Sequence, residues 1–382
     1  MSRSTRTRLL GLTALIAGVL FFWFERRVLP GGAPSVSPQK GADLVESVIR
    51  LIREDYVEEP NARKTMQGGF QGLVNSLDAL SSYLDKDAAR KFADLNRPRY
   101  KDIGLILYKR ASSFPLVVGL IEGSPAEKAG IRTGDLVSAL DDRSTVLQGL
   151  QEIRMTVKDP EAKPIKVRTI REITTKDIDI TRADIYPRTY TFVEQKGTAG
   201  ILTIHHLFPP LVDDIKKTLL TRLAGRKDPL ILDLRRAFEG DNDEARKLIN
   251  LFVQTEKAGS FEKRDGVKET FDCSEPAELG DLPLVLWVAP STMGPAELAA
   301  ACLRDLRKAK VVGAQTPGLT AEQNFFPLAD GDALILTTGV FSTASGEKIW
   351  SKGITPDIKI DFAKLDTKAF LEATTALRSR RP

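Results

Sequence analysis

Cysteine and histidine are nearly absent from this chain of 382 residues, with two of each: Cys273, Cys302 and the adjacent pair His205 and His206. Two cysteines are too few for a disulfide framework. One bridge, or two unrelated buried thiols, both remain open. No C-x-x-C or H-E-x-x-H spacing occurs, so no metal site and no cofactor is expected. A Ser-His-Asp triad would have to use one of the two histidines. A basic stripe is also missing. The net charge is +5, yet residues 1–30 hold Arg3, Arg6, Arg8, Arg26 and Arg27 against Glu25 alone, a local balance of +4. That leaves about +1 for everything else, which gives nucleic acid nothing to bind.

What is present is ordinary for a globular protein: 42% hydrophobic and 28% charged residues, on a chain long enough for two or three domains. The exception is the start. Three arginines precede "LLGLTALIAGVLFFWF" (residues 9–24), an uncharged apolar run followed by "ERR". The basic flank keeps the N-terminus cytoplasmic and sends the remainder across the membrane. The run is short for a spanning helix, but Trp23 suits the interface and the arginines can snorkel. With no A-x-A site after it and no cysteine for lipidation, residues 1–28 read as a cytoplasmic tip plus signal anchor. The expected location is the cell membrane, single-pass, with the soluble part on the exported (periplasmic or extracellular) side.

Residues 29–42, rich in Pro, Gly and Ser, read as a flexible linker. Apolar residues at helical spacing follow in "DLVESVIRLIREDYV", and two further short helices are predicted before residue 97. Residues 43–97 are therefore a helical region. From Tyr100 the period changes to short strand-like runs divided by turn chemistry. Between them "EGSPAEKAGIRTGD" places a Ser-Pro helix start and Gly130 at its end. From residue 173 to 365, strands such as "LPLVLWVAP" alternate with helices such as "NDEARKLINLFVQ", which predicts a layered α/β domain. Residues 366–382 read as a C-terminal tail. The fold class is thus α/β and α+β multidomain.

Residues 98–172 resemble a PDZ domain, on "GSPAEKAGIRTGDLV" and an upstream "DIGL". The resemblance implies that the backbone N–H groups of Ile103, Gly104 and Leu105 hold a C-terminal carboxylate, while the peptide adds a strand to the sheet edge. The alternative is a small sheet domain that packs and binds nothing.

Four stretches in the right order extend the match. They are "GGFQGLVNSLDALSSYLD", the PDZ run, "PLILDLRRAFEG" and "LADGDALILTTGVFSTASGEKIWSKGITPDI". Together they resemble the carboxy-terminal processing (tail-specific) serine peptidases, whose catalytic domain is crotonase-like. Those enzymes cleave amides with a Ser-Lys dyad. The hydroxyl needs a base, and a lysine serves only when its surroundings leave it neutral. Two backbone N–H groups stabilise the oxyanion, on the order of 3 kcal/mol per donor.

Carried over residue by residue, the chemistry is missing. The family's Ser-Ala-Ser-Glu run is here "GPAE", so the nucleophile position is Gly294 and the next oxyanion donor is Pro295, which has no N–H. The lysine position, further along the chain, is Leu319, while the assisting Gln323 is retained. Of the glycine pair that supplies the second donor, Gly240 survives. Neighbouring Ser291, Thr292, Lys308 and Lys310 offer no obvious substitute dyad, and proline suits a helix start in any case.

Three functions follow as expectations. The first is a proteolytically inactive scaffold whose PDZ domain captures C-terminal tails of exported proteins. The second is an active serine-type peptidase with a relocated nucleophile, and the third an adaptor for an active paralogue.

Overall fold

The computed structural model describes residues 38–94, 100–185, 189–223, 225–361 and 366–379. The expected membrane anchor, residues 9–24, lies outside them. The chain divides into two compact units, residues 1–65 and 66–382. In the first, α1 (Pro38–Asp55) is amphipathic, with Leu44, Val48 and Leu51 at helical spacing and all exposed. The dividing point falls within α2 (Ala62–Asn75). Next come a short strand, β1 (Ser82–Leu84), and α3 (Lys86–Ala93). The Asp85 side chain accepts the Ala88 N–H at 2.9 Å and so caps α3.

The PDZ-like part contains β2 (Leu105–Tyr108), β3 (Leu116–Leu120), α4 (Pro125–Lys128), β4 (Leu136–Leu140), β5 (Arg143–Ser144), α5 (Leu150–Val157), β6 (Pro164–Arg171) and β7 (Thr174–Thr181). Its sheet runs in the order β2-β3-β4-β6-β7, which leaves β2 at one edge. The Ser-Pro helix start holds: Ser124 accepts the Glu127 N–H, Pro125 opens α4, and Gly130 at φ +84° ends it. The sheet continues past residue 172. β7 pairs with β6 along its whole length, from Arg171↔Thr174 to Pro164↔Thr181.

The remaining residues build two sheets around a shared core. Its elements are β8 (Tyr190–Val193), β9 (Gly200–Ile204), α6 (Leu211–Leu223), β10 (Leu230–Asp233), α7 (Asn242–Asn250), β11 (Thr255–Lys263), β12 (Lys268–Cys273), β13 (Leu284–Val288), α8 (Pro295–Arg307), β14 (Lys310–Gly313), β15 (Ala321–Pro327), β16 (Ala333–Thr343), β17 (Ile358–Lys359) and α9 (Thr367–Ser379). One sheet runs β17-β14-β13-β10-β9-β8, parallel except at β8. Strands β10 and β13 are buried at every position, which is why they read as unbroken apolar runs. The second sheet runs β1-β16-β11-β12, with β15 on β16. Strand β1 thus belongs to the peptidase-like domain by pairing, although it precedes the PDZ-like part in sequence.

The stretch expected as a tail is a packed helix. In α9, Phe370 is fully buried with its ring 5.2 Å from that of Trp287, and the Trp287 indole N–H donates to Thr374 at 2.9 Å. Burial of an aromatic pair with a satisfied indole outweighs the weak sequence signal of a terminal segment.

Candidate functional site

The loop after β10 and the turn after β13 are stitched together by side chains that no motif marks. The Thr292 hydroxyl donates to the Leu234 carbonyl at 2.9 Å, and the Ser291 hydroxyl to the Arg235 carbonyl at 2.5 Å. The Met293 N–H reaches the Ala237 carbonyl at 3.1 Å. The Ser291 hydroxyl therefore has a structural partner. Gly240 sits against another backbone, where an added Cβ would come within 2.6 Å of the Leu207 carbonyl oxygen. Residues 207 and 240 form a parallel bridge. Close approach explains this glycine.

Helix α8 starts without a side-chain cap. Gly294 holds φ +56° and ψ −125°, a conformation suited to glycine, and Pro295 occupies the first helical position. Two residues on, Glu297 is fully buried. Its carboxylate accepts the N–H groups of Gly318 and Leu319, each at 2.7 Å, and the Thr316 hydroxyl. Burial is the largest influence on this carboxyl and raises its pKa to about 7, against the three hydrogen bonds that favour the charged form. Glu297 thereby clamps the start of α8 to the loop that carries Leu319.

The two loops face one cleft of about 630 Å³. Gly240, Gly294, Pro295, Leu319 and Gln323 all line it, so the five positions singled out in the sequence converge. Leu319 is 5% exposed and belongs to the buried cluster that includes Phe238, Met293 and the PDZ core residues Ile106 and Ile153. Gln323 ties β15 to its neighbours: its side-chain N–H donates to the Leu80 carbonyl at 2.9 Å, and it accepts from Gln151 on α5 at 3.2 Å. Among the described residues, no serine, threonine, cysteine or histidine lines the cleft. The lysine that does, Lys158, is paired with Glu239 at 2.9 Å in a nearly buried bridge. Burial would raise the Glu239 pKa, but Lys158 and Arg154 hold it below the ordinary value.

His205 and His206 do not line this cleft, and burial holds both below the usual histidine pKa. Cys273 and Cys302 are free and buried, which leaves them as separate thiols. Lys308 is on the surface, donating to the Asp305 carbonyl. Among the described residues no cluster of His, Cys, Asp and Glu could hold a metal ion, and no helix is long and apolar enough to cross a membrane.

Ile103, Gly104 and Leu105 of the PDZ loop do not line the cleft. All three are buried. Gly104 has φ +86°, and an added Cβ would collide with the Ser124 side chain. Two of the three N–H groups already have an acceptor: Asp102 Oδ1 takes those of Ile103 (2.6 Å) and Gly104 (2.9 Å). The signal for this was visible as the first residue of "DIGL", but its partner could not be read from spacing.

Residues 199–360 match peptidase family S41, and residues 116–171 match the PDZ domain family. The chain is similar to the CtpA-like peptidases of family S41. It is 27% identical over 356 residues to the probable CtpA-like serine protease of Staphylococcus aureus strain MRSA252, covering 92% of this chain and 71% of that relative. Identity to the corresponding protein of Staphylococcus haemolyticus strain JCSC1435 is 28%, over 83% of this chain and 64% of the relative. In fold it is similar to the photosystem II D1 C-terminal processing protease, at 18% identity and a TM-score of 0.66, covering 86% of this chain and 96% of that one. The S41 and PDZ assignments agree with the two sheets and the β2–β7 domain described above.

Proposed function

We propose that this protein does not hydrolyse peptide bonds and serves as a membrane-anchored, exported scaffold that captures polypeptide C-termini through its PDZ domain. One observation carries the first part. The cleft on which the family positions converge has Gly294 and Leu319 where the resemblance assigns serine and lysine, and among the described residues no side-chain hydroxyl, thiol or imidazole lines it. Acyl transfer needs a nucleophile and a base within hydrogen-bond reach of each other. Lys158 is committed to Glu239, and Ser291 to a backbone carbonyl. A relocated nucleophile therefore draws no support from the cleft.

The capture role rests on the PDZ assignment and on β2, the sheet edge to which a peptide would add. Docking onto an active paralogue is compatible with the same surfaces. The test is incubation of the purified protein with unfolded substrates ending in apolar tails, scored for both capture and cleavage, beside labelling by a serine-directed fluorophosphonate. Capture without cleavage or labelling is expected. Cleavage that persists after contaminating proteases are removed, or labelling abolished by Ser291→Ala, would overturn the proposal.

A further inference from the structure

We infer that Asp102 is a built-in competitor for the C-terminal carboxylate of a peptide, so that it sets how strongly the PDZ groove accepts a tail. The inference rests on the proposal that this groove captures C-termini, and it concerns what controls access. A peptide carboxylate arriving at the loop would need the N–H groups of Ile103 and Gly104. Both are already donated to one oxygen of Asp102, at 2.6 and 2.9 Å. Hydrogen bonds to a carboxylate are roughly twice as strong as neutral ones. The incoming group therefore exchanges one such pair for another and gains little.

Several contacts hold the competitor in place. Asp102 is 4% exposed, and its backbone bridges to Ala183 in both directions, at 2.9 and 3.0 Å. Gly104 sits at φ +86° and packs so closely on the Ser124 side chain that a Cβ there would clash. Burial raises the Asp102 pKa, and Lys158, which pairs with Glu239 at the cleft, opposes that shift together with the two loop N–H groups. Residues 80–82 pack against the same domain. Ser82 packs directly on Gly149, where an added Cβ would collide with its side chain, and the Ser82 hydroxyl oxygen accepts the Gln151 N–H at 3.3 Å. Residues 80–82 therefore lie over the start of α5, and Leu80 joins the buried cluster that contains Ile106 and Leu150.

The experiment measures binding of a short fluorescent peptide ending in Val-Val, with either a free carboxylate or a carboxamide, to the full chain by anisotropy. The wild type is expected to separate the two peptides by less than about threefold. Asp102→Gly, which frees both N–H groups, is expected to bind the free carboxylate at least about tenfold more tightly than the wild type, with no gain for the carboxamide. Asp102→Asn keeps a neutral acceptor on the loop and should stay near the wild type, which also controls for folding. A wild type that already prefers the carboxylate tenfold, unchanged in Asp102→Gly, would sink the inference and leave capture standing. Equal tightening of both peptides would mean only a loosened groove and also overturns it. If no form binds either peptide, capture by this groove fails with it. Should Asp102→Gly not fold, the wild-type comparison of the two peptides still decides.

Discussion

Glu297 offers a direct way to test whether the two loops of the cleft are held by one buried carboxylate. Burial lifts its pKa from the ordinary 4.5 to about 7. A carboxyl raised on folding contributes stability that is fully present below pH 4.5 and is lost as pH rises through 7. The interval corresponds to about 3 kcal/mol. Glu297→Gln removes that titration. It keeps an oxygen for the Gly318 N–H and the Thr316 hydroxyl, but sets an amide NH₂ against the Leu319 N–H. One buried donor is then unsatisfied, at a cost of about 1–3 kcal/mol. The variant should be less stable than the wild type near pH 5. The gap should shrink by about 2–3 kcal/mol between pH 5 and pH 8 as the wild type loses its protonated-state advantage. Urea midpoints of both proteins across that range give the difference, since other titrating groups cancel. A gap that does not change with pH would refute the buried-clamp reasoning.

Three further outcomes are expected. Gly294→Ser forces a side chain onto φ +56° and should cost about 1–3 kcal/mol in thermal unfolding without creating fluorophosphonate labelling, because the lysine that lines the same cleft, Lys158, is held in its ion pair with Glu239. Lys158→Ala strands Glu239 nearly buried and should destabilise by about 3–5 kcal/mol in urea, whereas Lys158→Ala combined with Glu239→Gln should recover a large part of that loss. Phe370→Ala removes the ring packed on Trp287 and should cost about 3–5 kcal/mol, with a red shift in tryptophan emission as the indole becomes hydrated.

The alternation of strands and helices, the Ser-Pro start of α4 and the helix beginning at Pro295 were legible because each rests on local chemistry. Strand β7 was less so. Its run "TTKDIDIT" exposes most positions and buries only Ile180 fully, so it lacks the apolar signal that marked β10. Helix α9 resembles a tail in sequence because its order comes from Phe370 and Thr374 meeting Trp287, which lies in a distant part of the chain. At the site, the positions 240, 294, 319 and 323 could be chosen from the resemblance alone. Their convergence could not, since it depends on Glu297 binding a loop beyond the far end of α8 and on Gly240 pressing against Leu207. The closure of the PDZ loop by Asp102 was likewise invisible. An aspartate beside a glycine motif reads as turn chemistry until the direction of its carboxylate is known.

Under the proposed reading, what was kept and what was lost in the cleft follow one physical rule. Glu297 satisfies three buried donors, Gly240 admits a neighbouring backbone, and Gln323 joins β15 to both Leu80 and Gln151. Each is tied to folding, so its removal leaves buried polar groups unpaired or forces a clash. A catalytic serine, a catalytic lysine and an oxyanion donor carry no such tie. A neutral buried lysine is itself a destabilising feature, and Leu319 in its place adds to the apolar cluster shared with the PDZ core. Proline in place of the donor residue gives a better helix start. Each loss therefore favours folding once hydrolysis is not needed. A relocated active site would leave the opposite mark: a depressed-pKa lysine or an oriented histidine beside a hydroxyl that has no structural partner. Lys158 is held by Glu239, and both hydroxyls nearest Gly294 in sequence donate to backbone carbonyls.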